Sequence, residues 1–173
     1  MWTRLFELFG NLEAAAIVMN LAVIAAAFVL ALPVGWDREK ATRAMGLRTF
    51  PLVAVASAGF VLVGRSVLGS DANGAHARII QGLATGIGFL GGGAILKNED
   101  RVKGTATAAS IWSTAAIGAA VAYGRPDVAL LLSAINFVAL RVMRPFKRMV
   151  NEEEEGEVRD DRLAASEQEA STR

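Results

Sequence analysis

The chain has 173 residues, 53% of them hydrophobic, with 17 Gly, one His and no Cys. This excludes a disulfide framework, a thiolate metal site, a Cys nucleophile and a His-rich metal centre. The net charge of +1 hides an asymmetry: residues 1–151 hold 15 Lys/Arg against 8 Asp/Glu, and residues 152–173 hold 3 against 9.

Residues 1–13, MWTRLFELFGNLE, carry one Arg and two Glu, where a signal peptide opens positive. They read as an interfacial lead-in anchored by Trp2 and Phe6. Five apolar segments follow, at residues 14–35, 52–68, 79–96, 106–123 and 128–143. Each approaches the ~17–20 residues needed to cross a bilayer. None shows the wide charged face of a soluble amphipathic helix. The expectation is an all-α polytopic membrane protein with about five transmembrane helices, its domain running over 14–143.

The connecting charges test that count. Basic residues alternate from sparse to dense: Arg4, then Arg38, Lys40, Arg43 and Arg48, then Arg78, then Lys97, Arg101 and Lys103, then Arg125, then Arg141, Arg144, Lys147 and Arg148. The basic part of the chain is its apolar part, so these charges read as topology rather than nucleic-acid binding. The positive-inside rule puts the N-terminus outside and the C-terminus in the cytoplasm. Residues 144–173 form a basic then acidic tail too polar to fold by burial.

The third segment contains GIGFLG at residues 86–91, a literal G-x-G-x-x-G. A dinucleotide site needs a strand before the motif and an acid about 20 residues on. Residues 75–85 show no alternation, and 106–113 hold no acid, so neither a dinucleotide nor another cofactor is expected. In a membrane, Gly82/Gly86 and Gly88/Gly92 are instead G-x-x-x-G pairs that permit close helix packing. With Gly91 and Gly93 they suggest a glycine-rich central helix, its natural partner being the fourth segment, and a weak point at Gly91–Gly93. Glu13, Asn20, Ser57, Gln81, Thr85, Ser110, Ser113, Ser133 and Asn136 are candidates for bonds across helices. Arg65 and Arg141 can snorkel. Asp71 and Arg78 flank the outer entrance of the glycine helix, and His76 reads as a solvent-facing loop residue. No paired carboxylates lie within a span, and no Ser/His/Asp arrangement is evident, so no enzyme is expected. With 12 aromatic residues, most of them in the apolar segments, there is no platform for nucleic acid.

Three blocks carry a family resemblance: GWDREKATRAMGLRTFPLVAV at 35–55, ARIIQGLATGIGFLGGGAIL at 77–96 and VKGTATAASIWSTAAIGAAVAYG at 102–124. The chain resembles the MgtC/SapB family of bacterial inner-membrane proteins over residues 12–143. The resemblance implies a domain of about five helices with the N-terminus periplasmic. It implies a role in growth at low Mg²⁺ and in survival inside macrophages, and a partner in the F-type ATP synthase. Onto this sequence it carries Arg48, Thr49, Asp71, Arg78, Gln81, Gly86, Gly88, Gly91, Thr107 and Trp112. The family's L-T-T-A-A is TATAA here, at residues 105–109. Some members carry an ACT-like domain after the last helix, where this sequence has the short acidic tail. Three functions remain open at this point: a non-enzymatic regulator docking on another membrane complex, an Mg²⁺ or other cation transporter or channel, and a scaffold that self-associates through the glycine helix.

Overall fold

The computed structural model describes residues 13–42, 45–68, 73–98 and 101–143. The expectations for the lead-in over 1–12, the tail over 144–173 and Asp71 fall outside the described residues.

Five helices account for most of the described chain: α1 Ala14–Thr42, α2 Thr49–Leu68, α3 Asn73–Gly93, α4 Thr105–Ala122 and α5 Pro126–Met143. The apolar runs locate each helix to within seven residues at its ends, because burial in lipid demands that the backbone satisfy itself along the whole run. Four of them, α1, α2, α4 and α5, are long and apolar enough to cross a membrane. At 1.5 Å per residue the 21 residues of α3 reach ~31 Å, close to the ~30 Å of a hydrocarbon core. Val18, Leu21, Phe60 and Val63 are exposed, as lipid-facing side chains of such a bundle must be.

Within residues up to Phe137 the core is built around α4. Ile117, Val121 and Ala122 pack with Ala54, Ala58 and Val61 of α2, Ala27 and Ala31 of α1, and Ala129 of α5. Small residues set the helix spacing. A Cβ at Gly118 would land on the Ala54 backbone, so α2 and α4 touch main chain to main chain there, as lipid-embedded helices do when small residues allow it. The buried face of α4 includes Thr107, Ser110, Thr114 and Gly118. The Ser110 hydroxyl donates to Ala106 O (2.7 Å) and that of Thr114 to Ser110 O (2.8 Å), which removes their polarity from the interface.

The glycine-rich helix is therefore not central. Among the described residues of α3 only Ile87 and Gly91 are buried, and a Cβ at Gly82, Gly86, Gly88, Gly92 or Gly93 would meet nothing. Glycine permits close approach but supplies no area to bury, whereas α4 combines small residues with Ile111, Ile117 and Val121. Of the G-x-x-x-G pairs, neither packs against a helix of this chain; Gly91 alone lies near α4, against Ala108.

The run Gly91–Gly93 does end the helix: Ala94 N–H bonds back to Leu90 and Gly91 carbonyls, and the chain leaves α3. A two-stranded antiparallel hairpin follows, β1 Leu96–Asn98 and β2 Arg101–Lys103, with Leu96 opposite Lys103 and Asn98 opposite Arg101. It is the one element of the described chain absent from the sequence reading. Gly104 then enters α4 at φ 93°, a left-handed conformation that glycine takes without steric cost.

Candidate functional site

The sequence-derived residues fall into three places. Arg48, Thr49, Gly82 and Gly86 come together along a groove between α2 and α3. Gln81, Gly88 and Gly92 lie on the outward side of α3, all exposed. Thr107 is buried in the bundle and Gly91 faces Ala108, whereas Trp112 is exposed on α4. Arg78 is exposed on α3. The GIGFLG hexapeptide lies inside the continuous helix α3 rather than at a strand-to-helix turn, so its amides are spent on the helix itself.

The groove has a volume of about 950 Å³, near the top of the ~300–1,000 Å³ usual for ligand pockets. Leu52, Phe60 and Val67 form its α2 wall and Leu83, Gly86 and Leu90 its α3 wall. Arg48 and Thr49 close one end, at the start of α2. Ser57 lies midway, 1% exposed, its hydroxyl without a partner among the described residues.

The outward side of α3 is different in kind. Positions 81, 85, 88 and 92 recur at helical spacing and form one stripe. Gln81, Thr85, Gly88 and Gly92 are all exposed, and the Thr85 hydroxyl donates to Gln81 O at 2.9 Å.

Both ends of α3 are fastened. At the start, His76 sits half-buried against Tyr123, with ring centroids 5.8 Å apart at 79° and the Tyr123 hydroxyl 3.4 Å from His76 Nδ1. His76 is thus a helix residue in contact with the bundle, not a solvent-facing loop residue. Beside it the Arg65 guanidinium donates to Ala122 O at 2.5 Å, satisfying a carbonyl of the last turn of α4 that the helix cannot. The Arg65 side chain thus ties the end of α2 to the end of α4. At the far end the hairpin leads from α3 into α4.

Asp37 and Arg38, near the end of α1, went unread as a site. They are 2% and 6% exposed, and Arg38 Nη2 bonds Asp37 Oδ2 at 2.8 Å. The signal was present: an acid beside a base in the last turns of a helix about 44 Å long, beyond the reach of the hydrocarbon core. Next to them the Glu39 carboxylate accepts the Leu47 N–H at 3.0 Å, folding the α1–α2 connection back on the helix. Of the polar residues proposed to bond across helices, Ser133 does so, donating to Leu30 O of α1 at 2.6 Å. Pro33, three residues on, has no N–H to give the neighbouring Val29 carbonyl, so the Ser133 bond falls beside a break in the backbone ladder.

A model of the MgtC family matches residues 24–149. The chain belongs to the MgtC family. It is 39% identical over 127 residues to the protein SrpB of Synechococcus elongatus, covering 67% of this chain and 68% of that one. It is 34% identical over 129 residues to the protein MgtC of Brucella abortus, covering 75% of this chain and 53% of that one. It is 35% identical over 114 residues to the putative magnesium transporter YhiD of Escherichia coli K12, covering 63% and 53%. The match thus spans about half the length of the Brucella and E. coli relatives. No solved structure matches the chain. Family membership and the apolar helices together make this a membrane protein of the MgtC type.

Proposed function

We propose that this chain is a non-enzymatic regulator in the bacterial inner membrane, acting in adaptation to low magnesium by docking on another membrane complex, the F-type ATP synthase. Five helices cross the bilayer in this reading, with the N-terminus outside and the C-terminus in the cytoplasm, as the alternating basic loops favour. The observation that carries the proposal is the outward stripe of α3. Gln81, Thr85, Gly88 and Gly92 are exposed along a helix that meets the bundle at His76, Ile87 and Gly91. Small residues and an amide on a lipid-facing helix are what a second membrane helix packs against, through close contact and a hydrogen bond worth about 1 kcal/mol. The name of the E. coli relative, a putative magnesium transporter, supports the magnesium setting.

The test is ATP-driven proton pumping in inverted membrane vesicles. Wild-type protein lowers pumping with passive proton leak unchanged, and Gly88→Leu/Gly92→Leu, which fills the stripe without touching the core, restores it. No difference between vesicles with and without the protein rejects the synthase as target. A faster passive leak replaces this reading with that of a channel. The transport reading draws its support from the name of the E. coli relative, and cation flux in liposomes of purified protein decides it.

A further inference from the structure

We propose that the groove between α2 and α3 is a binding site for an anionic phospholipid, with one acyl chain lying between the helices and the phosphate at Arg48. The site is separate from the outward stripe of α3 and does not depend on the function proposed for it.

Length and lining point to the occupant. The groove follows α2 from Arg48 and Thr49 to Val67 and Leu68, a run of about 30 Å at helical rise. That is long enough for a whole acyl chain, and the lining beyond Arg48 and Thr49 is almost wholly apolar, as a hydrocarbon chain requires. Gly82 and Gly86 create the space: on the α3 wall they offer no side chain, and a Cβ there would meet nothing. Apart from the small side chain of Ser57, 1% exposed, the walls elsewhere are aliphatic or aromatic, so they offer an acyl chain dispersion contacts along almost the whole run.

The charged end selects the headgroup. Arg48 is exposed and makes no ion pair or side-chain hydrogen bond with the described residues. It immediately precedes α2, whose N-terminus at Thr49 carries the positive end of the helix dipole. A guanidinium, a hydroxyl and a helix N-terminus at the mouth of an apolar groove form a phosphate site joined to an acyl site. Arg48 also belongs to the densely basic α1–α2 connection, which the positive-inside rule assigns to the cytoplasmic face, where anionic lipids concentrate.

Native mass spectrometry of the full chain, released from micelles supplied with phosphatidylglycerol or phosphatidylcholine of identical chains, tests this. The expected result is one bound lipid per chain and a preference for phosphatidylglycerol of about fivefold. Arg48→Gln, an exposed change, keeps lipid binding and loses the preference. Gly82→Leu/Gly86→Leu fills the groove and loses both lipids while retaining its helical circular dichroism and elution volume. Equal binding of the two lipids by wild type, or an unchanged preference in Arg48→Gln, overturns the proposal. So does a dimer mass that the glycine double variant abolishes, since it would assign the groove to a second copy.

Discussion

Gly118→Ala adds one methyl group at the point where α2 and α4 meet main chain to main chain. The new Cβ would lie 2.7 Å from the Ala54 carbonyl carbon and 2.9 Å from its Cα, against 3.4 Å or more in ordinary contact. Backbone cannot swing aside as a side chain can, so the two helices must part by ~0.7 Å or more, and interiors packed to crystal density resist that. Overpacking of this kind costs about 1–3 kcal/mol. Alanine recovers up to about 1 kcal/mol through its better helix propensity. The net expectation is a loss of about 1–2 kcal/mol, or ~5–30-fold in the unfolding equilibrium. Gly86→Ala is the control: the same chemical change where a Cβ meets nothing should be neutral or slightly stabilising. Denaturant titration of the purified chain in detergent, followed by fluorescence of Trp2, Trp36 and Trp112, reads both variants. Equal midpoints for Gly118→Ala and wild type, or an equal loss in Gly86→Ala, would refute the assignment of α4 to the centre and α3 to the edge.

Asp37→Asn weakens the 2.8 Å charged bond from Arg38 Nη2 and should cost about 1.5–3 kcal/mol, visible as a loss of monodisperse protein on size exclusion. Gly104→Ala forces an L-residue to φ 93° at about 1–2 kcal/mol, and its Cβ would strike the Ala94 carbonyl. Hydrogen exchange should therefore quicken at Ala108, whose N–H bonds Gly104 O. Ser133→Ala removes only the bond to Leu30 O and should cost about 0.5–1.5 kcal/mol; a midpoint shift as large as that of Asp37→Asn would show that the hydroxyl does more than join two helices.

The helices were legible because a span declares itself by a run of apolar residues, whatever its neighbours. Their arrangement was not, because small residues announce only that a close approach is possible. Gly82, Gly86, Gly88 and Gly92 advertise it more strongly than Gly118, yet Gly118 makes the contact. The difference lies in what surrounds each: Gly118 sits among Ile117, Val121 and Ala122, which are buried in the core, whereas Phe89 and Leu90 beside the α3 glycines stay exposed. A better signal was the stripe Thr107, Ser110, Thr114 and Gly118, which recurs at helical spacing in a segment with no charge. The hairpin escaped because three-residue strands are too short to show alternation, and their lysines and arginines read as a loop. Arg48, Thr49, Gly82 and Gly86 were picked out one by one, but that they share a groove depends on how α2 and α3 sit together, which no single segment encodes.

Fastening α3 at its ends has a consequence for how such a protein can change over generations. Most mutations in a membrane bundle are filtered first by whether the helices still fit. Along Gln81, Thr85, Gly88 and Gly92 that filter is weak, because no neighbour within the bundle depends on those side chains. Whatever meets that surface is then the main judge of its sequence. A lineage could exchange one target for another by rewriting four positions on a single helix, leaving the bundle beneath untouched.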